Sequence, residues 1–345
     1  MTQSKLVVFL LFVVLVSVMG CMMSPLPRAA ETGDSALLNQ LIHQGVLVDQ
    51  RGPIDETALI ISARQGHLGM VRTLLEAGAG INARSKYNNT ALTAATAYCH
   101  STVALFLIER GADVNATNSW SGSTPLMLAT DCNDADVVKA LINGKANMNE
   151  TDKRGSTALI AAAIKGHVKV AETLLAAGAD INRSGKKVES PLYEAAQQGE
   201  DAMVTLLLDN GAEVNYRSIQ TDWTPLMIAV AEKHASTSAL LIKAGANVNL
   251  TNEKGRTALM FSAWYGSVPI TEMLLRNGAN PNVIPKDEYG KTALMAAASK
   301  GYKEIVQLLL RYNADPNLRD KKNETALSYA EGDTKQVLID AGGKL

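Results

Sequence analysis

The sequence predicts an all-α fold in which short helix–turn–helix units stack on one another as a solenoid. Three observations predict it. A threonine or serine recurs every 33–35 residues, two short segments with apolar stripes follow each recurrence, and a Gly-Ala-x-x-Asn motif closes most of the units. Helices this short are marginal alone, and one unit does not cover their apolar stripes, so each unit needs neighbours.

The stretch Thr157–Asn182 shows the unit most completely. Its sequence, TALIAAAIKGHVKVAETLLAAGADIN, predicts two short helices back to back. Thr157 stands at the N-cap position, where its hydroxyl can accept from an otherwise unpaired amide of the first turn. Gly166 is placed to break the first helix, and Gly178 can take the left-handed conformation that closes the second.

The residue equivalent to Thr157, which we call the anchor, recurs along the chain at Thr57, Thr90, Thr124, Thr157, Ser190, Thr224, Thr257, Thr292 and Thr325. The closing motif follows in step, as in GADVN at 111–115 and GANVN at 245–249. A period of about 33 residues of helix, turn, helix and exposed loop resembles the ankyrin repeat. The resemblance covers about residues 28–345 and implies an ankyrin-repeat solenoid with hairpin-like finger loops.

One position departs from the family pattern. Where the ankyrin motif has a His three residues after the anchor, this chain has Ile60, Thr93, Met127, Ile160, Tyr193, Met227, Met260 and Met295. The hydrogen bonds between repeats that the family makes through that His are therefore expected to be absent, and we expect packing to replace them.

The N-terminus is predicted to be a targeting segment. Residues 1–20 carry one charge, Lys5, followed by the apolar run Leu6–Val16, which is too short to span a bilayer comfortably. The sequence Ser17-Val18-Met19-Gly20-Cys21 resembles a bacterial lipobox, although Met19 is unusual there. The resemblance implies cleavage after Gly20 and lipidation of Cys21. A plain signal peptide or an uncleaved anchor are the alternatives.

We divide the rest of the chain by its repeats. Residues 22–27 are predicted to be a tether, 28–56 an N-terminal capping repeat, 57–324 eight full repeats and 325–345 a C-terminal capping repeat. Capping repeats with a polar outer face keep a solenoid soluble. Since position 22 is Met rather than Asp, the resemblance to lipoproteins favours the outer membrane, with the repeats facing the periplasm.

Composition and motifs argue against several function classes. The formal net charge is −1, whereas nucleic-acid binding needs a basic face. No phosphate loop, nucleophile elbow or zinc signature is present. Four of the five His recur ten residues after an anchor, which indicates a structural role: His67, His100, His167 and His234. We expect no enzyme activity, no catalytic, cofactor-binding or metal-binding residues, and no small-molecule substrate.

Cys99 and Cys132 lie near the ends of the first helices of adjacent repeats. Stacked helices are about 8–10 Å apart, and a disulfide needs Cα atoms within about 7 Å. The one-residue offset between the two positions could close that gap, and an exported protein permits disulfides. The sequence leaves both a bridge and two free thiols open.

Aromatic residues make up 5% of the chain, so their clustering is informative. In ankyrin arrays partners usually lie on the concave face, and five aromatic residues map to it or to the neighbouring fingers: Trp223, Phe261, Trp264, Tyr265 and Tyr289. A thinner second group is formed by Tyr87, Tyr98 and Trp120. Exposed Trp and Tyr are typical of interfaces, so both groups are candidate protein-binding residues, unless their rings cover gaps between repeats.

These observations predict a membrane-anchored periplasmic scaffold that binds a protein partner. By resemblance to exported bacterial ankyrin lipoproteins, it is expected to be an immunity or accessory protein for a secreted effector of the type VI lipase class. The alternative is a chaperone-like stabiliser of an exported enzyme, such as one of oxidative-stress defence. A host-directed ankyrin effector is a different class, against which the lipobox argues.

Overall fold

The computed structural model describes residues 24–345. This part of the chain has twenty helices and no strand, and a single isolated β-bridge pairs Arg51 with Thr57. The predicted signal peptide 1–20 and lipidated Cys21 lie outside the described residues. Among residues 24–345, no helix combines the length and apolarity needed to cross a membrane.

The helices come in pairs, one pair per repeat. The first helices of the pairs are α1 (Pro25–Thr32), α3 (Ala58–Arg64), α5 (Ala91–Ala97), α7 (Pro125–Asp131), α9 (Ala158–Lys165), α11 (Pro191–Gln198), α13 (Pro225–Ala231), α15 (Ala258–Tyr265), α17 (Ala293–Ser299) and α19 (Ala326–Tyr329). The second helices are α2 (Ser35–His43), α4 (Leu68–Glu76), α6 (Ser101–Glu109), α8 (Ala135–Asn143), α10 (Val168–Ala176), α12 (Asp201–Asp209), α14 (Ala235–Lys243), α16 (Val268–Arg276), α18 (Lys303–Arg311) and α20 (Gly332–Asp340).

The described chain divides into two compact units. Unit 1 contains residues 24–162 and 169–179, and unit 2 contains residues 163–168 and 180–345. In unit 1, α1, α3, α5 and α7 pack in one row, and α2, α4, α6 and α8 pack in a second row. In unit 2, α11, α13, α15, α17 and α19 form the first row, while α12, α14, α16, α18 and α20 form the second. The prediction of stacked helical pairs is confirmed.

The anchors are buried N-caps, as predicted. Thr57 Oγ1 accepts from Ile60 N at 3.3 Å, Thr224 Oγ1 accepts from Met227 N at 3.2 Å, and the other full repeats repeat this bond. The final anchor differs, because Thr325 Oγ1 donates to Lys344 O at 2.6 Å. That bond ties the shortened α19 to the end of the chain.

In each of the eight full repeats, the position nine residues after the anchor has a positive φ and ends the first helix. Five repeats place Gly there, including Gly166 with a φ of 66°. Three repeats place a residue with a side chain in the same left-handed conformation: Cys99, Asn133 and Lys233. Glycine is favoured there because a Cβ makes left-handed backbone unfavourable.

The expectation that packing alone would replace the missing hydrogen bonds between repeats is wrong. The closing Asn of one repeat bonds to the backbone of the next. Asn249 Oδ1 accepts from Asn280 N at 2.8 Å, and its Nδ2 donates to Gly278 O at 2.9 Å. A second set of bonds comes from the His at the second-helix N-cap, since His100 Nε2 lies 2.9 Å from Arg64 O. The bonds between repeats are made by other residues than the family's His.

The predicted tether also needs correction. Helix α1 begins at Pro25, and Leu26 and Pro27 are buried. Ser24 supplies the residue before the helix, and its Oγ donates to Arg51 O at 2.8 Å. Leu26 is buried because α1 packs on α3. Residues 25–27 therefore belong to the first helix rather than to a tether.

The loops between repeats are hairpin-like fingers, and most of them are closed by their own backbone bonds. Asp152 N donates to Ser156 O at 2.9 Å, and Asn252 N donates to Arg256 O at 3.0 Å. Neighbouring fingers are also linked, because Lys286 N donates to Lys254 O at 2.8 Å. The fingers are thereby held next to the first helices, where they form the walls of the site described below.

Candidate protein-binding site

The candidate site is a groove in unit 2, between the first helices α11, α13, α15 and α17 and their fingers. It consists of two adjoining cavities, which we name the aromatic cavity and the acidic cavity. The aromatic cavity has a volume of about 360 Å³ and lies between α15, α17 and the finger around Tyr289. The acidic cavity has a volume of about 520 Å³ and lies between α11, α13 and their fingers. Tyr265 lines both cavities.

Helix α15 supplies four residues to the lining of the aromatic cavity, among them its three aromatic residues. Trp264 and Tyr265 follow Phe261 by three and four residues, so both lie next to Phe261 on the surface of the helix. Trp264 is 45% exposed and Tyr265 is 39% exposed, while Tyr289 on the finger is 44% exposed. These three rings present apolar surface to solvent around one cavity.

Phe261 does not behave as an exposed contact residue. It is 6% exposed, and its ring centroid lies 4.3 Å from that of Trp223. Trp223 is itself half-buried. The sequence prediction that both rings form part of an exposed patch is therefore wrong for Phe261, which forms the cavity floor, and only partly right for Trp223, which covers it.

One side of the aromatic cavity is basic. Lys300 Nζ lies 4.5 Å above the ring of Trp264, and Lys291 Nζ lies 3.6 Å above the ring of Tyr329. Lys322 Nζ is 6.0 Å from the ring of Tyr289. Burial lowers the pKa of Lys291, and the positive charges of Lys322 and Lys300 lower it further against the opposing effect of Asp320. These lysines are not among the site residues predicted from the sequence, although each lies within a few residues of an aromatic residue or an anchor.

The Arg256–Asp287 ion pair fixes the finger that carries Tyr289. Arg256 Nε lies 2.6 Å from Asp287 Oδ2, and Gly290 N donates to Asp287 Oδ1 at 2.8 Å. Burial acts to raise the pKa of Asp287, but the hydrogen bonds from Gly290, Arg256 and Tyr289 outweigh it and hold this pKa below its usual value. The charge of Arg256 is thus compensated within the protein.

The acidic cavity is built on a buried carboxylate that sequence reasoning missed. Glu189 is 5% exposed, and it accepts from Tyr216 Oη at 2.7 Å, from Ser218 Oγ at 2.8 Å and from Ile219 N at 3.3 Å. Burial and the bond to Glu189 raise the pKa of Tyr216 to about 12. Glu194 Oε1 accepts from Glu189 N at 2.9 Å, so the two glutamates are held side by side.

A sequence signal for this cavity exists. Four residues after the anchor, seven of the eight full repeats have an apolar residue, and only this repeat has a glutamate, Glu194. The same repeat has the only Tyr three residues after an anchor, Tyr193, and the only serine anchor, Ser190. Three departures within one repeat indicate a local role other than packing.

The family follows from the comparison with known proteins. Family models described as "Ankyrin repeats (3 copies)" match residues 26–118, 116–185 and 192–285, and a model described as "Ankyrin repeats (many copies)" matches residues 281–330. The chain belongs to the ankyrin repeat family. The ankyrin repeat domain of human ASB11 is similar in structure, with 27% identity and a TM-score of 0.57, and the match covers 65% of this chain and all of that domain.

Ankyrin repeats form protein-binding scaffolds, and no enzyme family is indicated for this chain. Within residues 24–345, no group of three or more His, Cys, Asp or Glu is placed so that it could hold a metal ion. The groove presents apolar rings, ammonium groups and carboxylates.

The second aromatic group lies in the ankyrin repeats of unit 1. Tyr87, Tyr98 and Trp120 are 44%, 59% and 85% exposed. Among the described residues, none of the three stacks on another ring or on a cation. They are single exposed rings, in contrast to the rings of the aromatic cavity, which share one concavity.

The cysteines connect two ankyrin repeats of unit 1. Of the two states that the sequence leaves open, the structure has the disulfide, with the Cα atoms of Cys99 and Cys132 5.6 Å apart. Cys99 is one of the residues in the left-handed conformation that ends a first helix, and Cys132 is the C-cap of α7. Cys99 therefore has left-handed backbone, and its Cα lies closer to the Cα of Cys132 than the usual distance between stacked helices.

Proposed function

We propose that this ankyrin repeat protein is a lipid-anchored scaffold of the cell envelope, whose groove binds a partner protein. The observation that carries the proposal is the aromatic cavity. Trp264, Tyr265 and Tyr289 surround about 360 Å³ of space above a buried apolar floor. Binding hot spots are enriched in Trp and Tyr and concentrate where a partner side chain can enter a pocket.

Two observations support an envelope location. The sequence around Cys21 resembles a lipobox. The Cys99–Cys132 disulfide is of a kind that persists in oxidising compartments such as the periplasm and is rare in the cytosol. We therefore propose that the lipid on Cys21 holds the ankyrin repeats at the outer membrane, facing the periplasm.

The cellular role that we propose is immunity or accessory binding to a secreted effector of the type VI lipase class. A rigid repeat surface would act there by covering the effector. The alternative proposal is a chaperone-like stabiliser of an exported enzyme. The two roles share the groove and differ in the partner, so the identity of the partner separates them.

Affinity capture from the native envelope tests the proposal. The bait is the full-length chain in mild detergent, compared with the variant Trp264→Ala/Tyr265→Ala. The control is Leu47→Ala, since Leu47 is an exposed apolar residue outside the groove and outside both aromatic groups. We expect the double variant to lose the partner while the control retains it and the unfolding midpoints stay close to that of the natural protein. Equal capture by all three proteins would contradict the groove as the binding site.

Lipid attachment at Cys21 is tested separately. We expect Cys21→Ser to abolish labelling by an alkyne fatty acid and to release the chain from the outer-membrane fraction. A Cys21→Ser protein that stays with this fraction would contradict lipid anchoring and leave the groove proposal unaffected.

A further inference from the structure

The two ends of the groove carry opposite charges. The basic end is the lysine cluster, defined as Lys291, Lys300 and Lys322, beside the aromatic cavity. These ammonium groups lie over the faces of aromatic rings, at 3.6, 4.5 and 6.0 Å from the centroids. Among the described residues none of the three belongs to an ion pair. Aromatic rings hold the cations in place without neutralising them.

Asp320, a carboxylate beside the cluster, is already engaged by hydrogen bonds. Asp320 Oδ2 accepts from Tyr329 Oη at 2.6 Å, and its Oδ1 accepts from Lys322 N at 2.8 Å and Glu324 N at 3.0 Å. These bonds fix Asp320 within its own finger. The cluster brings three ammonium groups together, and burial, followed by the charges of Lys322 and Lys300, lowers the pKa of Lys291 against the opposing effect of Asp320.

The other end of the groove is acidic. Glu189, Glu194 and Glu232 line the acidic cavity, with Lys187 as the cation of its lining. The donors to Glu189 are the neutral hydroxyls of Tyr216 and Ser218 and a backbone amide. These donors hold the carboxylate in its buried position, and none of them is a cation.

The repeat spacing gives the distance between the two ends. The acidic cavity lies between α11 and α13, and the aromatic cavity lies between α15 and α17, so they are two repeats apart. Packed helices are about 8–10 Å apart, which places the cavity centres about 16–20 Å from each other. An extended chain advances about 3.3 Å per residue, so about five or six residues of a partner would bridge the two cavities.

We propose that the partner presents an extended segment to the groove, with a basic side chain at the glutamates, an apolar side chain in the aromatic cavity and an acidic side chain at the lysine cluster. This rests on the proposed function and specifies the chemistry of the partner. Charge complementarity at both ends fixes the register of the segment, and the apolar side chain between them supplies buried area.

Synthetic peptides test this chemistry directly. The matched probe is a fluorescein-labelled peptide with Lys, a spacer of about four Ser and Thr residues, then Phe and Glu. A second matched probe has the reverse order, because the groove fixes no chain direction. The control probe keeps the length and the Phe but exchanges the two charges. Binding to the full-length chain in detergent is measured by fluorescence anisotropy at two salt concentrations.

We expect one matched probe to bind about tenfold more tightly than the charge-exchanged control, with the difference reduced at high salt. Lys291→Met/Lys300→Met should remove this difference, since it keeps the aliphatic stems and removes the charges. The control variant is Lys303→Met, whose ammonium pairs with Asp333 outside the groove. Equal binding of matched and exchanged probes, or binding that the lysine variant does not change, would overturn the proposed chemistry.

The outcome also separates this inference from the proposed function. A partner whose capture depends on Trp264 and Tyr265 but not on the lysines would refute the charged segment and leave the groove as a binding site. Capture independent of both sets of residues would refute the groove itself. Tighter binding of Cys21→Ser protein to anionic phospholipid vesicles than to either matched probe would refute a protein segment in favour of a lipid surface.

Discussion

The link between Cys99 and Cys132 gives the most quantitative prediction. The two residues are 33 positions apart, so the bridge closes a loop of one repeat length. In the chain-entropy model, a loop of this length stabilises the folded chain by about 3.7 kcal/mol, because it restricts the unfolded chain. We expect Cys132→Ser, or reduction of the natural protein, to destabilise unit 1 by about 3 kcal/mol, allowing for residual order in the unfolded state.

The left-handed backbone at Cys99 supplies a matched pair of variants. Its φ is 60°, at the position that most repeats give to Gly. A residue with a Cβ in this conformation is disfavoured by about 1 kcal/mol relative to Gly. Both Cys99→Ala/Cys132→Ser and Cys99→Gly/Cys132→Ser lack the bridge, but we expect the Gly variant to be the more stable of the two by about 1 kcal/mol.

Urea unfolding with and without reductant measures the first effect. Hydrogen exchange of residues 91–143 then assigns it to the bridged repeats, since repeat proteins can lose structure locally. An unchanged midpoint on reduction would refute the stabilising role of the bridge. Equal stability of the Ala and Gly variants would refute the argument from backbone conformation.

Three further predictions concern unit 2. Asn249→Ala should destabilise the protein by about 1–2 kcal/mol in urea unfolding, because two backbone groups of the next repeat lose their partner; a change below about 0.3 kcal/mol would contradict this. In the same assay, Gly266→Ala should lower the free energy of unfolding clearly more than Gly301→Ala does. A Cβ at Gly266 would lie 2.7 Å from the Tyr302 ring, whereas a Cβ at Gly301 meets nothing within 4 Å. Equal losses of stability would show that the Tyr302 ring moves aside without a measurable loss of stability. Folding raises the pKa of Tyr216 to about 12, so the contribution of this residue to stability is complete below about pH 10 and is lost as the pH rises toward 12. Tyr216→Phe should therefore flatten the plot of unfolding free energy against pH in that window. An unchanged plot there would count against the raised pKa.

The grouping of the aromatic residues in the candidate site could be predicted from the sequence. Trp264 and Tyr265 follow Phe261 by three and four residues, so both lie next to Phe261 on one helix, and period-based alignment brings Tyr289 beside them. The exposure of the individual rings could not be predicted. Phe261 is buried because Trp223, from the preceding finger, lies on it, and contacts between a finger and the next repeat depend on how the repeats stack.

The burial of Glu189 in the acidic cavity could not be predicted from the sequence. Glu189 lies just before its anchor, at a position that suggests a solvated finger residue. It is buried because Tyr216 and Ser218, which are 27 and 29 residues away, bring hydroxyls to it from the next finger. Only the offset between stacked repeats decides whether such residues meet.

The sequence by itself determined the repeat, its anchors and its helix ends, because N-caps, left-handed glycines and apolar stripes act within a few residues of one another. The tertiary structure decided which hydrogen bonds join the repeats and which aromatic rings remain exposed. It also decided that Cys99 and Cys132 form a disulfide. These features depend on distances between residues about 33 positions apart, and stacking sets those distances through packing that no short stretch of sequence specifies.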